Sequence, residues 1–302
     1  MDCAERLRLL FERRPAVCDG AMGTQLQSLG LAPGQSGEPW NVDEPGAVRR
    51  IHQAYLDAGA DLLITNTFGG TSLALRMHGI DPGRAVELNR AGARLAREVA
   101  GSRALVLGDV GPFGGMLEPL GDASPADVSQ AFREQAAALL EGGADAILVE
   151  TMSDPTELAL AVAAARAAGA RCVFATATFG LTPDGFRTIM GVDVAGMVEA
   201  ALGEGADVVG ANCGTKLSLD DYARLVPELV AAGRGKPVMV QPNAGSPELR
   251  PDGTVIYPTG HEAFAAALPR FLAAGARIVG GCCGTGPAHI AAIAVVVGAA
   301  EH

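Results

Sequence analysis

A phrase of about eleven residues recurs five times along the chain and constrains its fold more than any other feature. Each copy is an Ala-rich amphipathic stretch, then a glycine turn, then a short apolar run, as in AYLDAGADLLI around Gly59 and RFLAAGARIVG around Gly275. The other copies centre on Gly143, Gly169 and Gly205. This order predicts a helix, a glycine at its C-terminal end and a buried parallel strand. Five copies indicate repeated units of one strand and one helix.

Three further stretches fit the same rhythm without the phrase. Together with the five copies they predict eight strands, at about 16–19, 61–66, 104–109, 145–150, 172–178, 207–212, 237–241 and 277–281. Helical patterns separate every neighbouring pair, and a last one begins at residue 287. This count is typical of a (β/α)8 TIM barrel, and we predict one such domain over residues 1–302. An open doubly wound α/β sheet is the alternative, but no G-x-G-x-x-G turn supports it.

Composition and charge exclude several classes of protein. Hydrophobic residues make up 49% of the chain, which suffices for a large core. A net charge of -11 repels phosphate backbones, so we expect no nucleic-acid partner. The N-terminus has no apolar signal core, and the longest apolar run, 290–300, is too short to cross a bilayer. We therefore expect a cytoplasmic protein with no membrane partner and no disulfide framework.

Three of the six cysteines fall at predicted strand ends, where barrels of this kind carry their chemistry. Cys213 ends the sixth strand, and Cys282 and Cys283 end the eighth. Soft thiolates favour zinc, and three protein ligands leave one position open, as in catalytic zinc sites. We predict that these cysteines bind zinc, with Asn243 or water as the fourth ligand when substrate is absent. The alternative is that Cys213 and Cys282 are small core residues.

The remaining cysteines and the histidines are not expected to bind a metal. Cys18 and Cys172 lie inside predicted strands and are interpreted as core residues, and Cys3 precedes the first strand. None of the five histidines ends a predicted strand, so we expect them at the surface or in loops.

Two carboxylates also end largely apolar strands, Asp19 the first and Glu150 the fourth. A charge in such a place is costly unless it is paired. The carboxylates could accept backbone N–H groups from a neighbouring loop, or they could receive the ammonium group of a substrate. The glycine-rich turn 20–23 could offer backbone N–H groups to a substrate carboxylate. Beside a thiophilic metal, such a pocket favours a thiol amino acid.

Six segments, in order along nearly the whole chain, resemble the homocysteine S-methyltransferase family. They are DGAMGTQLQ at 19–27, NTF at 66–68, GPFGGMLEPLG at 111–121, VETMSD at 149–154, GANCG at 210–214 and GGCCGT at 280–285. The resemblance implies a (β/α)8 barrel with zinc on Cys213, Cys282 and Cys283. It also implies that Asp19 and Glu150 hold the ammonium group of homocysteine. The residues implied to line the same pocket are Gly20, Ala21, Asn66 and Thr67.

The resemblance implies an enzyme that transfers a methyl group to the thiol of homocysteine and forms methionine. Coordination to zinc would deprotonate the thiol, so no protein base is required. GPFGGMLEPLG and QPNAGSPELRPDGTVIYP are similar to the homocysteine domain of cobalamin-dependent methionine synthases, whereas NTFGGT and ETMSDP are similar to bacterial betaine-type enzymes. We expect methylcobalamin on a separate corrinoid protein as the donor, with betaine or S-methylmethionine as alternatives. A zinc- or thiol-binding protein without methyl transfer is the competing class.

Overall fold

The predicted (β/α)8 barrel is confirmed in the computed structural model, which describes residues 3–214, 216–250 and 255–299. The eight barrel strands are β1 (Ala16–Val17), β2 (Leu62–Ile64), β3 (Leu105–Val110), β4 (Ala146–Met152), β5 (Val173–Ala177), β6 (Val208–Cys213), β7 (Val238–Pro242) and β8 (Ala276–Val279). They pair in parallel in the order β1-β8-β7-β6-β5-β4-β3-β2. A parallel bridge between Cys18 and Leu62 joins β1 to β2, and so closes the sheet.

Each barrel strand is followed by a helix that packs outside the sheet. The helices are α1 (Cys3–Arg13), α2 (Met22–Ser28), α3 (Trp40–Asp43), α4 (Pro45–Asp57), α5 (Ser72–Met77), α6 (Ala85–Ala100), α7 (Pro125–Glu141), α8 (Pro155–Ala167), α9 (Val194–Gly203), α10 (Leu219–Ala232), α11 (His261–Ala273) and α12 (Pro287–Gly298). Helices α4 and α6 to α12 are the eight of the repeat, and α2, α3 and α5 lie in the loops after β1 and β2. Of the helices described, none has the length and apolar composition needed to span a membrane.

The repeated Gly-Ala-Asp sequence has a structural role that the sequence pattern alone does not reveal. Asp61 accepts the backbone N–H of Val17 at 2.8 Å and pairs with Arg14 at 2.7 Å. The aspartates of two other copies, Asp145 and Asp207, do the same. Asp145 accepts from Val106 and pairs with Arg97, and Asp207 accepts from Val173 and pairs with Arg166. Each aspartate therefore links the start of its own strand to the preceding strand. It also links it to an arginine in, or directly after, the helix that comes before that preceding strand.

Side chains that alternate along the strands fill the inside of the barrel. This inner cluster includes Cys18, Leu62, Leu107, Leu148, Phe174, Met239 and Ile278. Cys3 and Leu7 of α1 belong to the same cluster, so the first helix covers the N-terminal end of the barrel. Cys18 and Cys172 are buried, as predicted. Because α1 covers the N-terminal end of the barrel, the open end lies at the C-terminal ends of the strands, where this fold carries its sites.

Two small hairpins lie in the loops at the open end and were not predicted. One joins Gly180–Thr182 to Gly185–Arg187 after β5, and the other joins Glu248–Leu249 to Val255–Ile256 after β7. The second falls in the segment 243–261, which follows β7. Residues 251–254 of that segment lie outside the described residues.

The expectation that all histidines lie at the surface or in loops is wrong for His52. This residue lies on α4 with 0% exposure, because the amphipathic helix turns that face toward the sheet. Neither ring nitrogen has a hydrogen-bond partner. Burial lowers the pKa of His52 to about 4, since a charged imidazolium would lose its hydration there.

His52 should make the fold sensitive to acid. In the unfolded chain a histidine has a pKa of about 6.5 and binds a proton below that pH. In the folded protein His52 binds a proton only when the pH falls to about 4. The free energy of unfolding should therefore fall as the pH drops through this window, by about 2 kcal/mol between pH 7.5 and 5. Urea unfolding at both pH values should show a smaller drop for His52→Leu than for wild type. Equal drops in the two proteins would contradict this assignment.

Candidate metal and substrate site

The three cysteines predicted to bind a metal come together at the open end of the barrel. The sulfur atoms of Cys213, Cys282 and Cys283 all lie within 4.8 Å of one another, and the side chains are half-buried. Cys213 is the last residue of β6, and Cys282 and Cys283 follow β8. Because the carboxyl ends of parallel strands meet at one edge, residues about 70 positions apart in the chain become neighbours.

Cys213 adopts a left-handed backbone conformation that turns the chain at the end of β6. Its φ is 60°, an uncommon value for a residue with a side chain. The Tyr222 hydroxyl donates to the Cys213 carbonyl at 3.0 Å, and the Gly214 N–H donates to the Thr178 hydroxyl at 3.1 Å. These bonds hold the turn from α10 and from the end of β5. Unusual backbone geometry that its surroundings enforce is frequent at functional sites.

The Cys282–Cys283 pair is fixed through its own backbone. The Cys282 N–H donates to the carbonyl of Pro242 and the Cys283 carbonyl accepts from Ala244, both at 2.8 Å. Gly284 follows with φ 80°, and a Cβ there would lie 2.1 Å from the ring of Tyr257. Only glycine fits this close approach. Both thiols are therefore held toward Cys213 by β7 and its loop.

The cluster favours an ionised sulfur. Hydrogen bonds from Cys282, and then from Cys283, lower the pKa of Cys213 to about 3, against the opposing effect of burial. The pKa of Cys282 is raised, first by its bond to Cys213. The cluster therefore favours a thiolate on Cys213, with the thiols of Cys282 and Cys283 close by. Three sulfur donors at a half-buried corner could bind a soft metal ion, and zinc fits this donor set.

Asn243 lies beside the cluster, as predicted. Its Nδ2 is 3.6 Å from the sulfur of Cys213 and 3.4 Å from the Gly214 carbonyl oxygen. Its Oδ1 is buried and has no hydrogen-bond partner. The two amide atoms exchange places by a half-turn of the side chain, and that turn would present the oxygen to the sulfur corner.

A cavity of about 430 Å³ opens directly onto the three sulfurs. Five of the six residues predicted to bind substrate line it, namely Gly20, Ala21, Asn66, Thr67 and Glu150. Gly20 must be a glycine, since a Cβ there would lie 2.8 Å from the Thr285 hydroxyl oxygen and 3.0 Å from the Tyr55 ring. The cavity thus combines the predicted metal corner and nearly all of the predicted substrate pocket.

Asp19 is the one predicted substrate residue that is absent from the cavity lining. It is 1% exposed, and its Oδ2 accepts the backbone N–H of Ile64 at 2.9 Å. Burial raises the pKa of its carboxyl well above the ordinary range. The bond to Ile64 agrees with the structural alternative considered above, and a role in ammonium recognition stays a prediction.

Glu150 is held in place by Asn212, a residue that the sequence analysis did not assign. The Asn212 amide donates to Glu150 at 3.2 Å and to the Thr151 hydroxyl at 2.7 Å. Its oxygen accepts the Thr151 N–H and the Thr176 hydroxyl, each at 2.9 Å. Because Asn212 directly precedes Cys213, one strand end positions both a sulfur and the carboxylate. Burial, and then the charge of Cys213, raise the pKa of Glu150 to about 8.

Two further carboxylates line the cavity, Glu38 and Asp109. Glu38 lies in the loop after β1 and accepts the Gly69 N–H at 2.6 Å. Asp109 ends β3 and is 3% exposed. Asp109 follows an apolar strand just as Glu150 does, a signal that could have marked it in the sequence. Glu38 gives no comparable signal, because it lies in a long loop.

Comparisons with known proteins agree with the site. The model of the family described as homocysteine S-methyltransferase matches residues 16–297. The chain is 38% identical to a methionine synthase of Mycobacterium tuberculosis over 95% of its length, and 36% identical to that of Mycobacterium leprae over 94%. It spans about a quarter of the length of these relatives, 25% and 24%.

Solved structures of similar size share the fold. The homocysteine methyltransferase MmuM of Escherichia coli, in its metallated form, superposes with a TM-score of 0.78 at 25% identity, covering 95% of this chain and 98% of MmuM. Its oxidized form gives a TM-score of 0.77 at 27% identity, with 96% and 98% covered. The family model covers far more than half of the chain, and the chain therefore belongs to the homocysteine S-methyltransferase family.

Proposed function

We propose that this protein transfers a methyl group to the thiol of homocysteine, forming methionine, with zinc held by Cys213, Cys282 and Cys283. The observation that carries the proposal is a three-sulfur corner opening onto a cavity lined by Glu150. A sulfur corner suits a thiol substrate, and carboxylates suit its ammonium group. A protein that only stored or sensed zinc would need no such cavity.

Each part of the site has a task in this reaction. Zinc, when bound, would supply the Lewis acidity that keeps the substrate thiol deprotonated at neutral pH. Glu150, held by Asn212, receives the substrate ammonium group and so helps to place the substrate sulfur beside the three cysteines. The substrate sulfur then forms a bond to the methyl carbon, while the bond to the donor breaks and its electron pair leaves with the donor. The thiol proton goes to solvent.

For the donor we propose a methyl-corrinoid carried by a separate protein. The relatives at 38% and 36% identity are methionine synthases. The cavity lies at the open end of the barrel, where a large cofactor could approach from outside. These two observations favour methylcobalamin over a small donor.

A small cationic donor is the second candidate, and the charge of the cavity favours it. Glu38, Asp109 and Glu150 line the cavity, whereas none of the lining residues in the described part of the chain is a lysine or an arginine. Among the lining residues that the structure describes, Phe68 is the one Phe, Tyr or Trp, and Trp40 packs against the core instead. Since quaternary ammonium groups are usually held by aromatic cages, the lining favours a sulfonium such as S-methylmethionine over betaine.

A donor screen tests the proposal. Zinc-loaded protein is incubated with homocysteine and either methylcobalamin, S-methylmethionine or betaine, and methionine is measured by mass spectrometry. We expect methionine from methylcobalamin. If a small donor gave methionine and methylcobalamin gave none, the proposed donor would be wrong. Methyl transfer to homocysteine would still be supported. If no donor reacted although zinc and homocysteine were bound, the protein would be a zinc- and thiol-binding protein without methyl transfer.

We further propose Asn243 as the fourth zinc ligand in the absence of homocysteine, because its amide group lies beside the cluster and its Oδ1, which a half-turn of the amide would bring to the sulfurs, has no partner. In cobalt-substituted protein, Asn243→Ala should change the visible ligand-field spectrum before homocysteine is added. With homocysteine bound, variant and wild type should give the same spectrum, since the substrate sulfur takes the fourth position. Identical spectra in the free proteins would instead indicate water as the fourth ligand.

A further inference from the structure

Two hydrogen-bond acceptors in the cavity wall have no donor. Among the described residues, six buried side-chain nitrogen and oxygen atoms lack a partner. Of these, the Oδ1 of Asp109 and the Oε1 of Gln241 belong to residues that line the cavity, whereas His52 and Gln135 do not. Buried polar atoms in native proteins normally have partners. Two orphans on residues that line one cavity therefore indicate a ligand that supplies the donors.

Asp109 is held rigidly by its backbone while its carboxyl group stays unsatisfied. Its N–H donates to the Thr65 hydroxyl at 2.9 Å, and its carbonyl accepts from Thr67 at 2.8 Å and from Gln135 at 3.1 Å. The side chain lies on the inward face of β3, two residues beyond the inner-core Leu107. Such anchoring fixes the direction in which the side chain leaves the backbone.

The electrostatic surroundings of Asp109 call for a cation. Burial and then the nearby carboxylates of Glu150, Glu38 and Asp19 raise the pKa of Asp109 well above the ordinary range. No lysine or arginine among the described lining residues offsets these acids. A ligand with a positive charge would remove this penalty, because an opposite charge favours the ionised carboxylate.

The missing partner must also donate hydrogen bonds. A primary ammonium group carries three N–H donors, whereas a sulfonium or a quaternary ammonium carries none. Orphaned acceptors on β3 and β7, together with Glu150 on β4, match the donors of a primary ammonium group. An amino group therefore suits the contact with Asp109 better than a fully alkylated methyl donor does.

We propose that Asp109 and Gln241 form, with Glu150, an acceptor set for the primary ammonium group of the thiol amino acid. Asp109 is then a specificity-determining residue that distinguishes amino thiols from thiols without an amino group. The identity of the amino acid rests on the proposed function. The recognition of an ammonium group rests on the cavity alone.

Calorimetric binding to the zinc-loaded protein, without any methyl donor, tests this assignment. The probes are homocysteine and 4-sulfanylbutanoate, which has the same thiol and carboxylate but no amino group. Asp109→Asn should weaken homocysteine binding by about 10- to 100-fold, the range for a hydrogen bond to a charged group, and change 4-sulfanylbutanoate binding less than about twofold. Gln241→Met should act in the same sense, more weakly. Asp122→Asn, an exposed residue after the same strand, is the matched control and should change neither.

The outcomes separate this inference from the proposed function. Equal weakening of both probes by Asp109→Asn, or weakening of neither, would overturn the inference and leave methyl transfer to homocysteine untouched. If wild type bound cysteine or cysteamine in preference to their amine-free analogues but ignored homocysteine, the proposed function would fail and the ammonium site would stand. Zinc content and the unfolding midpoint are measured for each variant. If Asp109→Asn does not fold, Gln241→Met decides by the same comparison.

Discussion

Cys213→Ala should lose the bound metal and, with it, methyl transfer. Two sulfurs would remain, and they are adjacent in sequence, so they could not enclose an ion as three sulfurs within 4.8 Å of one another could. A free thiol with a pKa of about 8.5 is only slightly ionised at neutral pH. We therefore expect the rate of methionine formation to fall by about a thousandfold or more. Zinc per chain, measured by atomic emission after dialysis, should fall from one to near zero.

A matched cysteine substitution separates the metal site from the fold. Cys172 lies inside the barrel near the opposite end and is 1% exposed, so Cys172→Ala should keep its zinc while losing some stability. Cys213→Ala should unfold near the wild-type temperature, because its side chain is half-buried at the mouth. Full zinc occupancy in Cys213→Ala would remove this residue from the metal site.

The repeat predicted the barrel because each copy encodes both an element and its boundary. The glycines at 59, 143, 169, 205 and 275 all have positive φ and end helices where predicted. The predicted strand bounds agree to within a few residues. The hairpins after β5 and β7 could not be predicted, since their strands of two or three residues are too short to show a hydrophobic period.

The metal corner was predictable for a topological reason, and the substrate cavity only in part. Once eight parallel strands are counted, Cys213 and the Cys282–Cys283 pair must meet at one edge. Carboxylate contacts depend instead on which way a side chain turns at the strand end. The Asp19 carboxyl group accepts the Ile64 N–H and Asp19 is absent from the cavity lining, whereas Asp109 lines the cavity. That difference of direction leaves no trace in the pattern of residue types.

Loops also supply residues of the cavity, and these residues cannot be found by looking at strand ends. Glu38 contacts the Gly69 N–H from the long loop after β1, and so joins two loops across the mouth. His52 was expected at the surface or in a loop because it ends no predicted strand. It lies instead on α4, where the neighbouring residues Val48, Ile51 and Tyr55 are buried as well.

Glu150→Gln should weaken homocysteine binding by about 1.5–3 kcal/mol, the magnitude of a hydrogen bond to a charged group. The change keeps the shape of the side chain and its contact with Asn212, and removes the carboxylate charge that forms when the ammonium group binds. Calorimetry with the zinc-loaded protein measures the effect, and 4-sulfanylbutanoate serves as the ligand without an amino group. Glu204→Gln, an exposed residue after α9, is the matched control. Equal weakening of both ligands would make Glu150 a structural residue.

Proton release gives this prediction a second, independent readout. In the free protein the pKa of Glu150 is about 8, so at pH 7 its carboxyl group is mostly protonated. An arriving ammonium favours the ionised carboxylate, and homocysteine binding should therefore expel this proton in addition to the thiol proton. Calorimetry in buffers of different ionisation enthalpy counts the protons released. The Glu150→Gln variant should release nearly one proton fewer than wild type at pH 7, and this difference should vanish as the pH rises above 9, where Glu150 is already ionised. A variant that released as many protons as wild type at pH 7 would show that Glu150 does not meet the ammonium group.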